Sequence, residues 1–197
     1  GHALLELASG GFVVVADGKP QDNNSGADAA AGGIRSGPAA EPMVMAMDWI
    51  TAENDRPCSP FYRKLDVAKI GTAGQSCGGM MTMLSAGDKR VTTAVVSNSG
   101  GSGNNSMLFA SCHAPMLFMA GGSSDLLSSG TTANVNAISN VPIFYGNLDV
   151  GRGATWEQTN GGEFGRVMLG WLKWKLRGDS SVEQMFVGAD CELCKAP

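Results

Sequence analysis

The stretch "AKIGTAGQSCGGMMTM", Ala68 to Met83, passes from a short apolar segment through Gly-Gln-Ser-Cys-Gly into a run rich in methionine. A strand that ends on this pentapeptide and turns at once into a helix raises the central serine to the top edge of a sheet. Glycines at 74, 78 and 79 allow so sharp a turn. The reading predicts strand, turn and helix, with Ser76 at the apex and Gln75 beside it. The amide of Cys77 then points to where negative charge would develop on a substrate oxygen, next to the positive end of the helix. A serine hydroxyl is a poor nucleophile until a base takes its proton and a third group orients that base. The rest of the chain must supply both.

Working outward, four more apolar runs are bounded by Gly, Asn or Asp: "FVVVA" (Phe12 to Ala16), "TTAVVSN" (Thr92 to Asn98), "PMLFMAG" (Pro115 to Gly121) and "VPIFYGN" (Val141 to Asn147). With Val67 to Ala73 they make five predicted strands, apolar throughout rather than alternating, as strands buried on both faces are. Helical patterns lie between them. "EPMVMAMDWITAEN" follows the first strand, "GGMMTMLSAG" the second, and "EFGRVMLGWLKWKLRGD" comes last. In the last, Phe164, Val167, Met168, Trp171 and Leu172 form one stripe at offsets of 3, 4, 7 and 8 residues. Alternation of this kind predicts an α/β fold, a mostly parallel sheet with helices on both faces. Gly18 to Pro38 and Ser97 to Ser106, rich in Gly and polar residues, follow predicted strands and are expected to rim a cleft or to be plain surface loops.

The length of 197 residues and 43% hydrophobic content predict one domain over residues 1–197. A net charge of -4 gives no reason to expect nucleic acid or an anionic membrane as partner. No run approaches the roughly 18 apolar residues of a membrane span. "GHALLELASGG" lacks the basic start and apolar core of a signal peptide, and a chain starting after a removed signal fits a secreted or periplasmic location. Five cysteines leave at least one without a partner in the chain. Cys58, Cys77 and Cys112 are scattered and read as inert buried thiols. Cys191 and Cys194, in "CELC", read as a local disulfide or idle thiols, ahead of a redox pair or a metal site that would need two further ligands.

Asp125, in the loop "SSDLLSSG" after the fourth strand, fits the acid that holds a histidine in the required tautomer, and the histidine is expected after "VPIFYGNLD". That position reads "VGRGATWEQTNGG". Together "LLELASGGFVVVADG", "GQSCGG", "GGSSD", "GNLDVGRGATW", "NGGEFGRVMLGWLKWKLRGD" and "FVGADCELC" resemble a group of bacterial and fungal esterase-like α/β-hydrolases, similar to dienelactone hydrolase, over most of the chain. The resemblance implies a serine hydrolase acting on a small-molecule carboxylic ester with water and no cofactor or metal. It implies Ser76 as nucleophile, Asp125 as acid, and Gln75, Cys77 and Trp156 around the oxyanion and ligand. In that group the turn after the last strand resembles Gly-His-Gly; here Arg152 stands at its centre. The group also carries strands before "HALLELASGGF", one with a Gly-Asn-Gly-Gly-like loop that supplies a second oxyanion amide, so a truncated core with an impaired oxyanion hole is expected.

Arginine has no lone pair with which to accept the serine proton. Of the two histidines, His113 precedes the strand starting at Pro115, at the far end of the sheet, and His2 sits in a first helical turn. Asp149 is nearer, but would need a raised pKa to act as base. The sequence therefore predicts an esterase scaffold with impaired turnover, or a non-catalytic binding or structural protein of the same fold. An apolar sheet edge near Phe12 to Ala16 is expected to favour self-association.

Overall fold

The computed structural model describes residues 2–16, 40–100 and 109–195. Both glycine-rich stretches singled out above fall largely outside them. Four parallel strands form one sheet in sequential order: β1 (Ile70–Gln75), β2 (Val91–Ser97), β3 (Met116–Ala120) and β4 (Ile143–Asn147). Alternate side chains on the two central strands go to opposite layers. Val95, Leu117 and Met119 face α5 (Gly162–Arg177), whereas Ala94, Val96, Met116 and Phe118 join Met83 and Ala86 at α3 (Cys77–Ser85). Being apolar on both faces, these strands have the continuous sequence pattern that marks a sheet covered on two sides.

The stripe foreseen on the last helix is its buried face: Phe164, Val167, Met168, Trp171 and Leu172 all lie in the core. α2 (Glu41–Asp55), opened by Pro42 in its first turn where the missing N–H costs nothing, packs on α3. Two further α-helices among the described residues are α1 (His2–Ser9) and α4 (Ser128–Ala137).

The fifth predicted strand requires correction. Phe12–Ala16 is not part of the sheet; the Phe12 N–H donates to Leu7 O, and a cavity separates the segment from β1. Its side chains still alternate as in a strand, Phe12 and Val14 toward the core, Val13 and Val15 exposed. Apolar sequence brought the segment to the core, but among the described residues no strand lies beside it to form a ladder. Cysteine burial is also corrected. Cys112 is buried, but Cys58 and Cys77 are exposed, while Cys191 and Cys194 form a disulfide.

On the surface, Asp88 accepts hydrogen bonds from the Arg90 guanidinium at 2.9 and 2.7 Å and from the Arg90 N–H at 3.0 Å. These hold its carboxyl down to about 2 from an ordinary 3.8. A depressed carboxylate contributes stability that is present above the ordinary value and is lost as pH falls through the lowered one. Asp88→Asn should cost on the order of 1 kcal/mol at neutral pH, discounted for solvation of the pair. In urea titrations its deficit relative to the parent should shrink between pH 4 and about 2. A deficit that stays constant over that window would show that the ion pair is not its source.

Candidate active site

In parallel strands every carboxyl end lies at the same sheet edge, and the chain places three of its predicted site residues there. Ser76 follows β1, Asp125 lies beyond β3, and Arg152 lies beyond β4. Ser76 has φ 57° and ψ −120°, between the end of β1 and the first residue of α3. Such a conformation costs a non-glycine residue of order 1–3 kcal/mol and has to be enforced by its surroundings. Three contacts enforce it. The Ser76 N–H continues the β1–β2 ladder to Ser97 O at 3.0 Å, its carbonyl accepts from Met80 N at 3.2 Å, and the same carbonyl accepts from Ser99 Oγ at 2.7 Å.

The glycines of the turn do not share one role. A side chain at Gly74 would collide with the backbone of Gly78, and one at Gly79 with Ser99. Gly78 has open space where a Cβ would point, so the close approach rests on positions 74 and 79. Cys77 starts α3, where the first N–H groups have no carbonyl within the helix and are free to receive an anion.

Asp125 is 3% exposed. Burial pushes its carboxyl up, but donors outweigh it: Asn98 Nδ2 at 2.9 Å, Leu127 N–H at 3.1 Å, Gly121 N–H at 3.4 Å, and the Arg152 charge at 3.5 Å. The net effect holds Asp125 below the ordinary carboxylate value. Arg152 bridges the space between acid and serine. One of its nitrogens donates to Ser76 Oγ and another to Asn98 O, both at 2.5 Å. Gln75 Nε2 donates to Arg152 O at 3.0 Å and ties the loop after β4 to the loop after β1.

Ser76, Arg152 and Asp125 thus form one chain of contacts at the carboxyl edge of the sheet. Residues 4–196 match the family model of PET hydrolase-like proteins (PETase). The chain belongs to this family. Among curated proteins none matches it. Membership of this α/β-hydrolase-type family, related to dienelactone hydrolase, gives the chain an ester-hydrolase scaffold.

The remaining predicted residues of this PET hydrolase-like chain divide. Trp156 borders the same cavity as Gln75 and Gly78, packed edge-on against Phe164 at 5.4 Å, and its buried Nε1 has no partner among the described residues. His113 is exposed ahead of β3, at the opposite sheet end, and His2 is exposed at the start of α1. Asp149 accepts from Ser124 Oγ at 3.0 Å and from Ser123 Oγ; these bonds hold its carboxyl below the ordinary value, the wrong direction for a base. Among the described residues no group of His, Cys, Asp or Glu is arranged to hold a metal.

Sequence reasoning missed Asn98. Fully buried at φ 45° just after β2, it contacts both neighbours in the site, donating to Asp125 and accepting from Arg152. Its one signal was an asparagine between serines at a strand end, a residue type that tolerates positive φ.

Proposed function

We infer that the chain is a carboxylic-ester hydrolase scaffold in which Ser76 is the nucleophile on a strand-to-helix elbow, Asp125 the acid and the Cys77 amide an oxyanion donor, with turnover held near background by Arg152. The observation that carries this reading is the Arg152 hydrogen bond to Ser76 Oγ. Attack on an ester carbonyl requires the Ser76 proton to leave as the new C–O bond forms. A guanidinium directed at Oγ donates to the lone pair that must attack and accepts nothing in return. The substrate class supported by the scaffold is a small ester bound along the apolar wall that includes Trp156, with water as second substrate.

The same contact favours a second reading, a non-catalytic member of the fold that holds an acidic or ester-like ligand against Arg152. A fluorophosphonate probe followed by peptide mapping separates the two. The hydrolase reading expects slow labelling confined to Ser76. No labelling of a folded protein favours the binding reading, and labelling at another serine contradicts the assignment of Ser76.

A further inference from the structure

Asp125 has two carboxylate oxygens, and the site uses them differently. Oδ1 accepts from the Leu127 N–H at 3.1 Å and lies 3.5 Å from Arg152. Oδ2 accepts from Asn98 Nδ2 at 2.9 Å and from the Gly121 N–H at 3.4 Å. The terminal torsion of a carboxylate has broad, two-fold wells, so the side chain's own rotamer does not decide which oxygen faces residue 152. A hydrogen bond to an ionised acceptor is roughly twice as strong as one between neutral groups. Asn98 makes that bond at the shorter distance on Oδ2, and Gly121 supplements it. The amide's orientation follows from its partner, because a flipped amide would set its oxygen 2.9 Å from the carboxylate.

The surroundings hold Asn98 in place. It is fully buried with φ 45°, a region that asparagine enters more readily than most residues. Its N–H donates to Met119 O at 2.8 Å, which ties it to β3, and its carbonyl accepts from the Arg152 guanidinium at 2.5 Å. A Cβ at Gly121 would collide with Asn98 Nδ2 and with the Gly151 carbonyl, so the loops after β3 and β4 both close on the amide. Its Oδ1, by contrast, is buried with no hydrogen-bond partner among the described residues. A buried acceptor left unpaired costs stability, and glycine at this position would avoid that cost. What the amide contributes is therefore its donor. Lysine or arginine would also donate, but would bury a second cation that competes with residue 152 for the same carboxylate.

We propose that Asn98 is the positioning residue of this site: its side-chain amide pins Oδ2 of Asp125 so that Oδ1 is presented to residue 152, and its backbone carbonyl holds the Arg152 guanidinium. The role rests on the hydrolase reading of Ser76 and Asp125, within which Asn98 touches no reacting atom and acts through the acid.

The test reads Asp125 itself, by NMR titration of its side-chain carboxyl carbon in the full chain and in Asn98→Gly and Asn98→Asp. Glycine keeps the backbone freedom and removes the side chain; aspartate keeps the shape and the tolerance of positive φ but replaces the donor with a second carboxyl. Burial pushes Asp125 up, the Asn98 bond is the largest of the influences that bring it down, and Arg152 is the charged side chain that acts on it. The Asp125 midpoint should therefore move up in Asn98→Gly, and in Asn98→Asp the two neighbouring carboxyls should titrate in two separated steps. In the Arg152→His background, Asn98→Gly should lower kcat for p-nitrophenyl acetate by about tenfold with KM unchanged, because the base loses its orientation and ester binding does not change. An unmoved Asp125 midpoint in a glycine variant folded by circular dichroism would overturn the proposal, as would an undiminished kcat. Should the glycine variant not fold, the aspartate variant decides, and a single unshifted step for Asp125 overturns it equally. An Arg152→His protein without activity would contradict the hydrolase reading, whereas an upward shift of Asp125 in the Asn98 variants would still show that Asn98 sets the acid.

Discussion

Replacing Arg152 by histidine should raise hydrolysis of p-nitrophenyl acetate by about 10²-fold over the parent chain, the lower end of what a positioned general base contributes. The argument rests on what the loop after β4 already does. Arg152 reaches Ser76 Oγ with one nitrogen while another stands 3.5 Å from Asp125 Oδ1, so the backbone presents its side chain to both groups a histidine must touch. Imidazole supplies the lone pair that guanidinium lacks. It is also shorter, so the loop must close toward Ser76, and Gly151 and Gly153 flank the position with the freedom to allow it. That adjustment keeps the gain at the low end. Serine and histidine act as one unit, so adding Ser76→Ala should return the rate to background rather than remove a fraction of it. The rate is measured on matched preparations whose folding is checked by circular dichroism.

The second large effect is on stability. Trp171 is 2% exposed, packs edge-on against Phe186 at 5.3 Å and Trp174 at 5.5 Å, and donates from Nε1 to Thr93 Oγ1 at 2.7 Å. Thr93 Oγ1 in turn donates to Pro115 O at 2.7 Å, which links α5 to β2 and to the entry of β3. Trp171→Ala should cost about 3–5 kcal/mol, from lost burial and the cavity left behind. Domains are stable by about 5–15 kcal/mol, so the variant should sit close to its unfolding threshold. Trp171→Phe should lose about 1–2 kcal/mol: the ring contacts persist in part, and Thr93 keeps Pro115 as partner. Urea midpoints with an unchanged slope check both values. Loss by the alanine variant of less than the phenylalanine variant would show that Trp171 does not anchor the core.

The parts of the fold legible in the sequence were those fixed by periodicity. The five-residue stripe on α5 is its buried face, and four of the apolar runs are the strands. Phe12–Ala16 carried the same signal and is no strand of the sheet, because composition records a preference for burial and not the presence of a neighbour. α4 was not legible at all. "SSGTTANVNA" has a glycine and two adjacent threonines, poor helix formers, and is held by a tertiary contact instead, with Thr131 Oγ1 within bonding distance of Ser99 O at 3.0 Å. At the site, Ser76, Asp125 and Arg152 could be placed because each follows a strand and parallel strands share their carboxyl edge. Asn98 could not, since its role depends on which loops meet across that edge.

The pH profile of ester hydrolysis by the Arg152→His protein tests the central claim most directly. Asn98, Leu127 and Gly121 still donate hydrogen bonds to the Asp125 carboxylate without the arginine, so the acid stays ionised across neutral pH. Of Ser76, Asp125 and the new imidazole, only the imidazole has an ordinary value in that range. The account predicts a rate that rises with pH around a midpoint near 6.5, as for a histidine base, and that vanishes in the Ser76→Ala background. A flat profile, or a rise that survives removal of Ser76, would contradict it.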